Sequence, residues 1–484
     1  MPDHPDWPRS FRVALETPTQ QRQGWQKALA PNLIGLFLWI GFLDQIPRET
    51  IGRSSLAWPV LGVSIGSILS YLLLFRTPAL WTQRSGHPFS VVATSTFGIR
   101  GATWVPGLLV ASVQVVWIAL AIRYGTLLTL RGLELLGLLD PSYHEKIAIG
   151  RFALPGGLFT ATSFFIGFAT TVAGRYLVRV IAALMTVYPI VLAILLGLTA
   201  TLAMRGLPDY KVITGGLSGG NNPGILVTFI AIQMVFAFAC SATLSAADWG
   251  AASGSARDVK LGGWVGMTLA PTVIASLSIL TVAGTFVRYG IDVPVTLGKS
   301  SSLIFIHAVE SLTGGRIAGA MFLAIGLAAL APGCFSAYIL GVRFHDAMPN
   351  FSQTGWTLIG FLVAWLMVVA GLVDRTYPVL GVVGALLAPI LGAVAADATR
   401  TRGEWAGPRN GLNWPGLVAW IAGLGVALVP LSFVTRRIGI FQPAAIISFA
   451  VAFLTYHLVA LVVGESRLEP GFESIEAKLP APTS

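Results

Sequence analysis

Residues 31–58 read PNLIGLFLWIGFLDQIPRETIGRSSLAW. The run opens as an apolar membrane helix and falters at Gly41. Asp44, Arg48, Glu49 and Arg53 follow within a few residues, and hydrophobicity returns at Leu56. A bilayer core of about 30 Å needs about 20 apolar residues to cross it as a helix. This stretch is therefore either a span that ends in a wet loop or a span that breaks at membrane depth. Ionisable groups at that depth are costly and usually functional. Asp44 and Glu49 are accordingly candidates for carrying a coupling proton, or for pairing with Arg48 or Arg53 acting as an internal cation.

The rest of the chain agrees with a membrane setting. Of its 484 residues 55% are hydrophobic and 11% charged, and mean hydropathy is +0.76. A soluble domain carries roughly 25% charged residues, so this chain has no polar surface to offer water. Long unalternating apolar runs recur at about 31–45, 55–75, 104–130, 153–173, 178–203, 224–246, 261–286, 316–341, 355–373, 377–397, 411–432 and 440–464. Segments of a membrane β-barrel are about 10 residues long and alternate in polarity, which these do not. The expectation is an all-α integral membrane protein of about twelve spans. It comprises a cytoplasmic tail (1–30), one transmembrane domain (31–464) and a disordered, acidic, Pro-containing tail (465–484).

The net charge of +10 is spread through short loops, with no basic stripe and interleaved aromatics, so nucleic acid is not an expected partner. The expected partners are a lipid bilayer and a small-molecule substrate. No apolar segment of signal-peptide length opens the chain. With an even span count both termini share a side. Seventeen of the 31 Lys and Arg then fall on that side and thirteen on the other, which places the termini in the cytoplasm and the protein in the cytoplasmic membrane. Cys240 and Cys334 sit inside apolar runs and form no metal or disulfide pattern. No metal site and no cofactor is expected.

Two further runs carry interruptions. The sixth ends in ACSATLSAADWGAASG, and the eighth holds Ala331-Pro332-Gly333 in mid-span. Irregular backbone in a bilayer persists only where it is buried or lines a cavity. Broken helices at corresponding places in two halves mark a transporter's binding site. The first and sixth runs are five apart, as a five-plus-five inverted repeat with broken helices 1 and 6 would give. Gly and Pro are also simply common in membrane helices.

Three segments carry a resemblance. TQRSGHPFSVVATSTFGIRGATWVPGLLVASVQVVWIALAIRYG holds Ser85-Gly86, Phe97-Gly98, Gly101, Pro106, Gln114 and Trp117; SAADWGAASGSARDV holds Asp248-Trp249; GVVGALLAPILGAVAAD holds Gly384, Pro389, Gly392 and Asp397. Together they resemble the purine/cytosine permease family of nucleobase–cation symporters over about residues 30–400. The resemblance implies the leucine-transporter fold, with two inverted five-helix repeats and two extra C-terminal helices, alternating access around a midplane site, and a nucleobase or similar flat heterocycle as substrate. It implies substrate contacts from Gln114 and Trp117, and from the sixth run near Phe238 (or Phe236), Cys240 and Ser241; Gly333 lies at the matching part of the eighth.

The residues bear this out chemically. Gln114 and Trp117 are three apart and share a helix face; a flat ring wants an aromatic face and an amide that donates and accepts. The other reading is a Gln bonding a neighbouring helix beside a packing Trp. The departures matter too. Family members carry base-reading asparagines and a sodium-binding Ser/Thr pair in the eighth helix. LAALAPGCFSAYILG has no Asn and only a late Ser336, so the sodium site reads as degraded and the coupling ion is left as a proton or sodium. Asp248 and Asp397 read as helix caps or partners of Arg257 and Arg400, Trp249 and Trp264 as interfacial anchors, and Arg123 as a buried or snorkelling cation. A same-fold transporter of an amino acid or vitamin precursor is the alternative. A membrane enzyme is disfavoured, since neither G-x-S-x-G nor H-E-x-x-H occurs.

Overall fold

The computed structural model describes residues 11, 19, 22–141, 146–149, 152–212, 223–286, 303–374, 376–429 and 443–468. The first span is two helices, α1 (Ala30–Phe37) and α2 (Ile40–Thr50). Together with a preceding turn, Trp25–Ala28, they meet at 49°. The following spans are α3 (Ala57–Ser85), α4 (Thr94–Leu135), α5 (Gly157–Tyr176), α6 (Val178–Ala203), α7 (Pro223–Ala251) and α8 (Ala256–Phe286). A short helix α9 (Ile304–Thr313) leads into α10 (Gly315–Ala347), then α11 (Gln353–Val369), α12 (Thr376–Arg400), α13 (Trp414–Leu428) and α14 (Ala444–Val462). A two-stranded hairpin, Lys146–Ile149 with Phe152–Pro155, lies between α4 and α5. Among the described residues nine helices are long and apolar enough to cross a membrane, ten with the bent pair; α11 and α13 are shorter and apolar. Alternation along the chain brings the start of α1 and the end of α14 to one side, called here the terminus side.

The break in the first span falls at Leu38–Trp39, two residues before Gly41, with Trp39 extended at ψ 133°. The charged stretch beyond it is helix, not a wet loop: Asp44, Glu49 and Arg53 are all buried. Pro47 sits inside α2 and cannot donate to the carbonyl of Leu43. The hydroxyl of Ser278 on α8 supplies that missing hydrogen bond.

A second irregularity sits at the start of α4, where Gly98 adopts φ +74°. The peptide groups around it bond to the segment before α13. Ile99 N donates to Arg409 O, Arg100 N to Gly411 O, and Asn413 N to Phe97 O, each at 2.9 Å. These bonds give the peptide groups on both sides of the kink partners inside the protein, as a bilayer demands.

Two expected breaks are absent. α7 continues without interruption through the small residues 239–251. Helix propensity is a weak preference, and here close packing overrides it: Gly250 lies against Ala79, and Thr82 Oγ1 donates to Ala247 O at 2.6 Å. The broken sixth helix is therefore corrected to a continuous one. α10 likewise runs straight through Ala331-Pro332-Gly333. It is held against α4 by glycines on both helices; a Cβ on Gly132 would stand 2.9 Å from Gly319 O.

The tail expected to be disordered from residue 465 begins ordered. Glu465 accepts from Arg400 at 2.6 Å and pairs with Arg409 at 2.7 Å, and Ser466 N donates to Asn413 at 3.0 Å. Residues 469–484, and most of 1–21, lie outside the described residues.

An alanine at position 98 would be strained at positive φ and would place its Cβ 2.5 Å from Gly411 O. Gly98→Ala is expected to cost about 2 kcal/mol or more, read as a lowered melting temperature of the detergent-purified protein.

Candidate functional site

The break at Trp39 faces a cavity of about 370 Å³ between α1, α4, α7 and α10. Its walls include Asn32, Leu36 and Trp39 from the first span, Gln114 and Trp117 from α4, Phe238, Ser241, Ser245, Asp248 and Trp249 from α7, and Pro332, Phe335, Ser336 and Tyr338 from α10. On a helix, residues 238, 241, 245, 248 and 249 follow the three-to-four spacing of one face, so a single stripe of α7 forms one wall.

Aromatic rings close the inner end. Trp39 stacks on Phe238 with ring centres 6.1 Å apart and planes at 15°. Trp117 meets both edge-on, at 5.7 Å from Trp39 and 5.4 Å from Phe238. Phe37, Phe42 and Tyr124 back this cluster. Edge-to-face and offset-stacked pairs are the arrangements the ring quadrupole favours. The Trp117 indole N–H donates to Ser241 Oγ at 2.7 Å, and Gln114 Nε2 donates to Val110 O at 3.2 Å.

Beyond the rings the side opposite the termini is sealed by charge. Asp44 is wholly buried. It accepts from Gln45 at 2.9 Å, from Arg48 Nε at 3.2 Å and Nη2 at 3.1 Å, and from the backbone N–H of Phe305, at the start of α9, at 3.2 Å. Gln45 also reaches Tyr124, which bonds Thr376 on α12 at 3.1 Å. Arg123 pairs with Asp374 at 2.9 Å, and Arg131 with Glu310 at 2.7 Å. Burial holds the imidazole of His307 below its ordinary range, with Glu310 opposing. Glu49 pairs with Arg53 at 3.4 Å one turn further along α2. On the terminus side the cavity ends at Asp248 and Tyr338, both partly exposed. The cavity is thus reached from the terminus side and shut from the other.

Of the residues singled out in the sequence, Gln114, Trp117, Phe238 and Ser241 come together on this cavity. Cys240 and Gly333 do not line it. Cys240 is fully buried and, two residues from Phe238, points off the cavity stripe. The open side of Gly333 meets Ala121 and Thr170, so its lack of a side chain serves helix packing. Phe236 packs on Phe449 instead. Asp44 and Glu49 lie in the seal, not on the cavity, and both form ion pairs with arginines four residues on. Asp248 accepts from Phe89 N at 2.6 Å and pairs with Arg343 at 3.5 Å, rather than with Arg257. Asp397 pairs with Arg409 at 3.2 Å and accepts from Ser95, Thr96 and Tyr456, rather than meeting Arg400. Trp249 lines the cavity, not the bilayer interface. Sequence reasoning missed Trp39, Asn32 and Phe335. The one available signal for Trp39 was its place beside the interrupted run.

A helical membrane bundle whose first span breaks beside a central aromatic cavity has the architecture of a secondary transporter of the alternating-access kind. No family model matches the chain. It is 25% identical to a putative allantoin permease of Escherichia coli (strain K12), over 95% of this chain and 97% of that one. Its fold is similar to that of Mhp1 in an inward-facing conformation (TM-score 0.66, 16% identity, 96% of this chain and 98% of that one). It is likewise similar to Mhp1, a transporter of the nucleobase-cation-symport-1 family, closed with bromovinylhydantoin bound (TM-score 0.64, 15% identity, 96% and 100%). A sodium-coupled sialic acid symporter shares the architecture (TM-score 0.58, 12% identity, 95% and 92%). These likenesses show the leucine-transporter type of fold in a multi-pass membrane protein.

Removing one partner of a buried ion pair leaves the other charge uncompensated. Asp44→Asn should lower stability by about 3 kcal/mol, whereas Asp44→Leu combined with Arg48→Leu should recover part of the loss. Thermal melts of the two variants in detergent check this.

Proposed function

We propose that this transporter moves a flat, hydrogen-bonding heterocycle of the hydantoin or nucleobase type across the cytoplasmic membrane, with both termini in the cytoplasm. The observation that carries the reading is the convergence of Gln114 and Trp117 on one cavity at the broken span. Stacking of a base on an aromatic ring is worth roughly 1–3 kcal/mol, and the Trp117 face supplies such a platform. The Gln114 amide nitrogen already donates to its own helix, which leaves its oxygen to accept an N–H from the ring edge. Allantoin carries a hydantoin ring with such N–H groups, and the bound hydantoin of Mhp1 and the name of the Escherichia coli relative point to the same chemistry. The asparagine missing from α10 has a counterpart in Asn32 of α1, whose side chain borders the cavity. The second reading, a non-aromatic solute on the same fold, draws on the absence of that α10 asparagine and on the sialic acid symporter.

For coupling, we assign a proton, carried by Glu49. Asp44 is held by four hydrogen bonds, one of them to the backbone of α9, and suits a latch. Among the described residues Glu49 has a single, longer contact, with Arg53, and is the freer of the two to gain and lose a proton.

Two measurements test this. In a thermal-shift panel of hydantoins, allantoin, nucleobases and amino acids, a true ligand at a hundredfold excess over Kd stabilises by about 2.7 kcal/mol. A heterocycle should do so in the wild type and lose the effect in Trp117→Ala; stabilisation by amino acids alone would discard the stacking assignment. Uptake into proteoliposomes should lose its pH dependence in Glu49→Gln and keep it in Asp44→Asn. Unaltered pH dependence in both would sink the proton assignment.

A further inference from the structure

We infer that Ser241 is a positioning residue for Trp117 and acts on the substrate only through that ring. The inference rests on the stacking role given to Trp117 above. Hydroxyls on these helices commonly donate to a carbonyl one turn back: Ser64 to Val60, Ser70 to Gly66, Thr170 to Ile166 and Thr171 to Gly167. Among the described residues Ser241 makes no such bond. Its oxygen instead accepts the Trp117 indole N–H at 2.7 Å across the α4–α7 boundary.

The geometry explains why a hydroxyl is needed at this place. An indole can rotate about two side-chain bonds, and edge-on contacts with Trp39 and Phe238 limit its tilt without choosing which edge points where. One directional hydrogen bond makes that choice. Ser241 stands one turn from Phe238 on the same face of α7, so a single helix face supplies both the flanking ring and the acceptor. The indole N–H is the only polar atom Trp117 has. With it engaged, the ring offers the cavity an apolar face alone, and the polar edge of a ligand must be read elsewhere, by Gln114 among others. Specificity for a flat ring therefore depends on a residue that need not touch it.

A double-mutant cycle on ligand affinity separates this role from direct contact. In the wild-type background Ser241→Ala should weaken binding of the panel's best heterocycle roughly five- to tenfold, the worth of one hydrogen bond, and Ser241→Thr should restore it. In a Trp117→Phe background, which has no N–H to hold, Ser241→Ala should change affinity less than about twofold. The same loss in both backgrounds would mean that Ser241 touches the substrate directly, and would overturn the inference. A second measurement needs no ligand. In a 1H–15N spectrum of the detergent-solubilised protein, the Trp117 indole signal is identified among 14 tryptophans by its absence in Trp117→Phe. Its proton should move upfield in Ser241→Ala and return in Ser241→Thr. An unmoved signal overturns the inference even if heterocycles bind, and a moved signal supports it even if the panel yields no ligand, in which case the heterocycle reading alone falls.

Discussion

A peptide group without a hydrogen-bond partner costs several kcal/mol in a lipid core, and the whole architecture answers to that constraint. The chain leaves the helix only where the protein itself can satisfy the freed groups. At Pro47 the Leu43 carbonyl takes the Ser278 hydroxyl. At Gly98 the strand-like stretch 409–413 bonds the backbone on both sides of the kink. The first of these keeps α2 helical just beyond the break, with Asp44 and Glu49 buried instead of lost to water. The second anchors the start of α4, the helix that carries Gln114 and Trp117.

The two ends of the transport path are built differently. The far side is closed twice: by the aromatic cluster around Trp39 and Phe238, and by polar contacts that join α2 to α9 (Asp44 with Phe305 N–H), α4 to α9 (Arg131 with Glu310), α4 to α12 (Tyr124 with Thr376) and α4 to the segment before α12 (Arg123 with Asp374). At the terminus-side mouth of the cavity stands Asp248, which pairs with Arg343 and accepts from the backbone of Phe89. A site closed on one side and reached from the other is what an end-state of an alternating-access cycle requires. Buried pairs add directional preference more than net stability, which suits contacts that must form and separate.

Much of the fold was legible because the lipid-facing requirement is local. Each run needs its apolar residues in sequence, and the nine long apolar helices of the described residues all fall on runs read from the sequence. The Gln114–Trp117 pair was legible for the same reason, as three residues on a helix always share a face. The broken sixth helix was misread, since small residues that weaken a helix in water are also what lets α3 approach α7 closely. Gly333 was misread likewise: a glycine at a cavity's edge and one in a helix contact look the same in one dimension.

The sequence by itself determined the membrane class and the presence of an interrupted first span with ionisable residues behind it. These follow from composition and from the period of the helix. Only the tertiary structure decided that Asp397 takes Arg409 and not Arg400, that Asp248 takes Arg343 and not Arg257, that Phe238 and not Phe236 faces the cavity, and that the Ser241 oxygen belongs to Trp117. The physical reason is that lateral contacts between helices join residues hundreds of positions apart. Which side chain meets which is set by the rotation and crossing of each helix against neighbours that no single stretch of the chain contains.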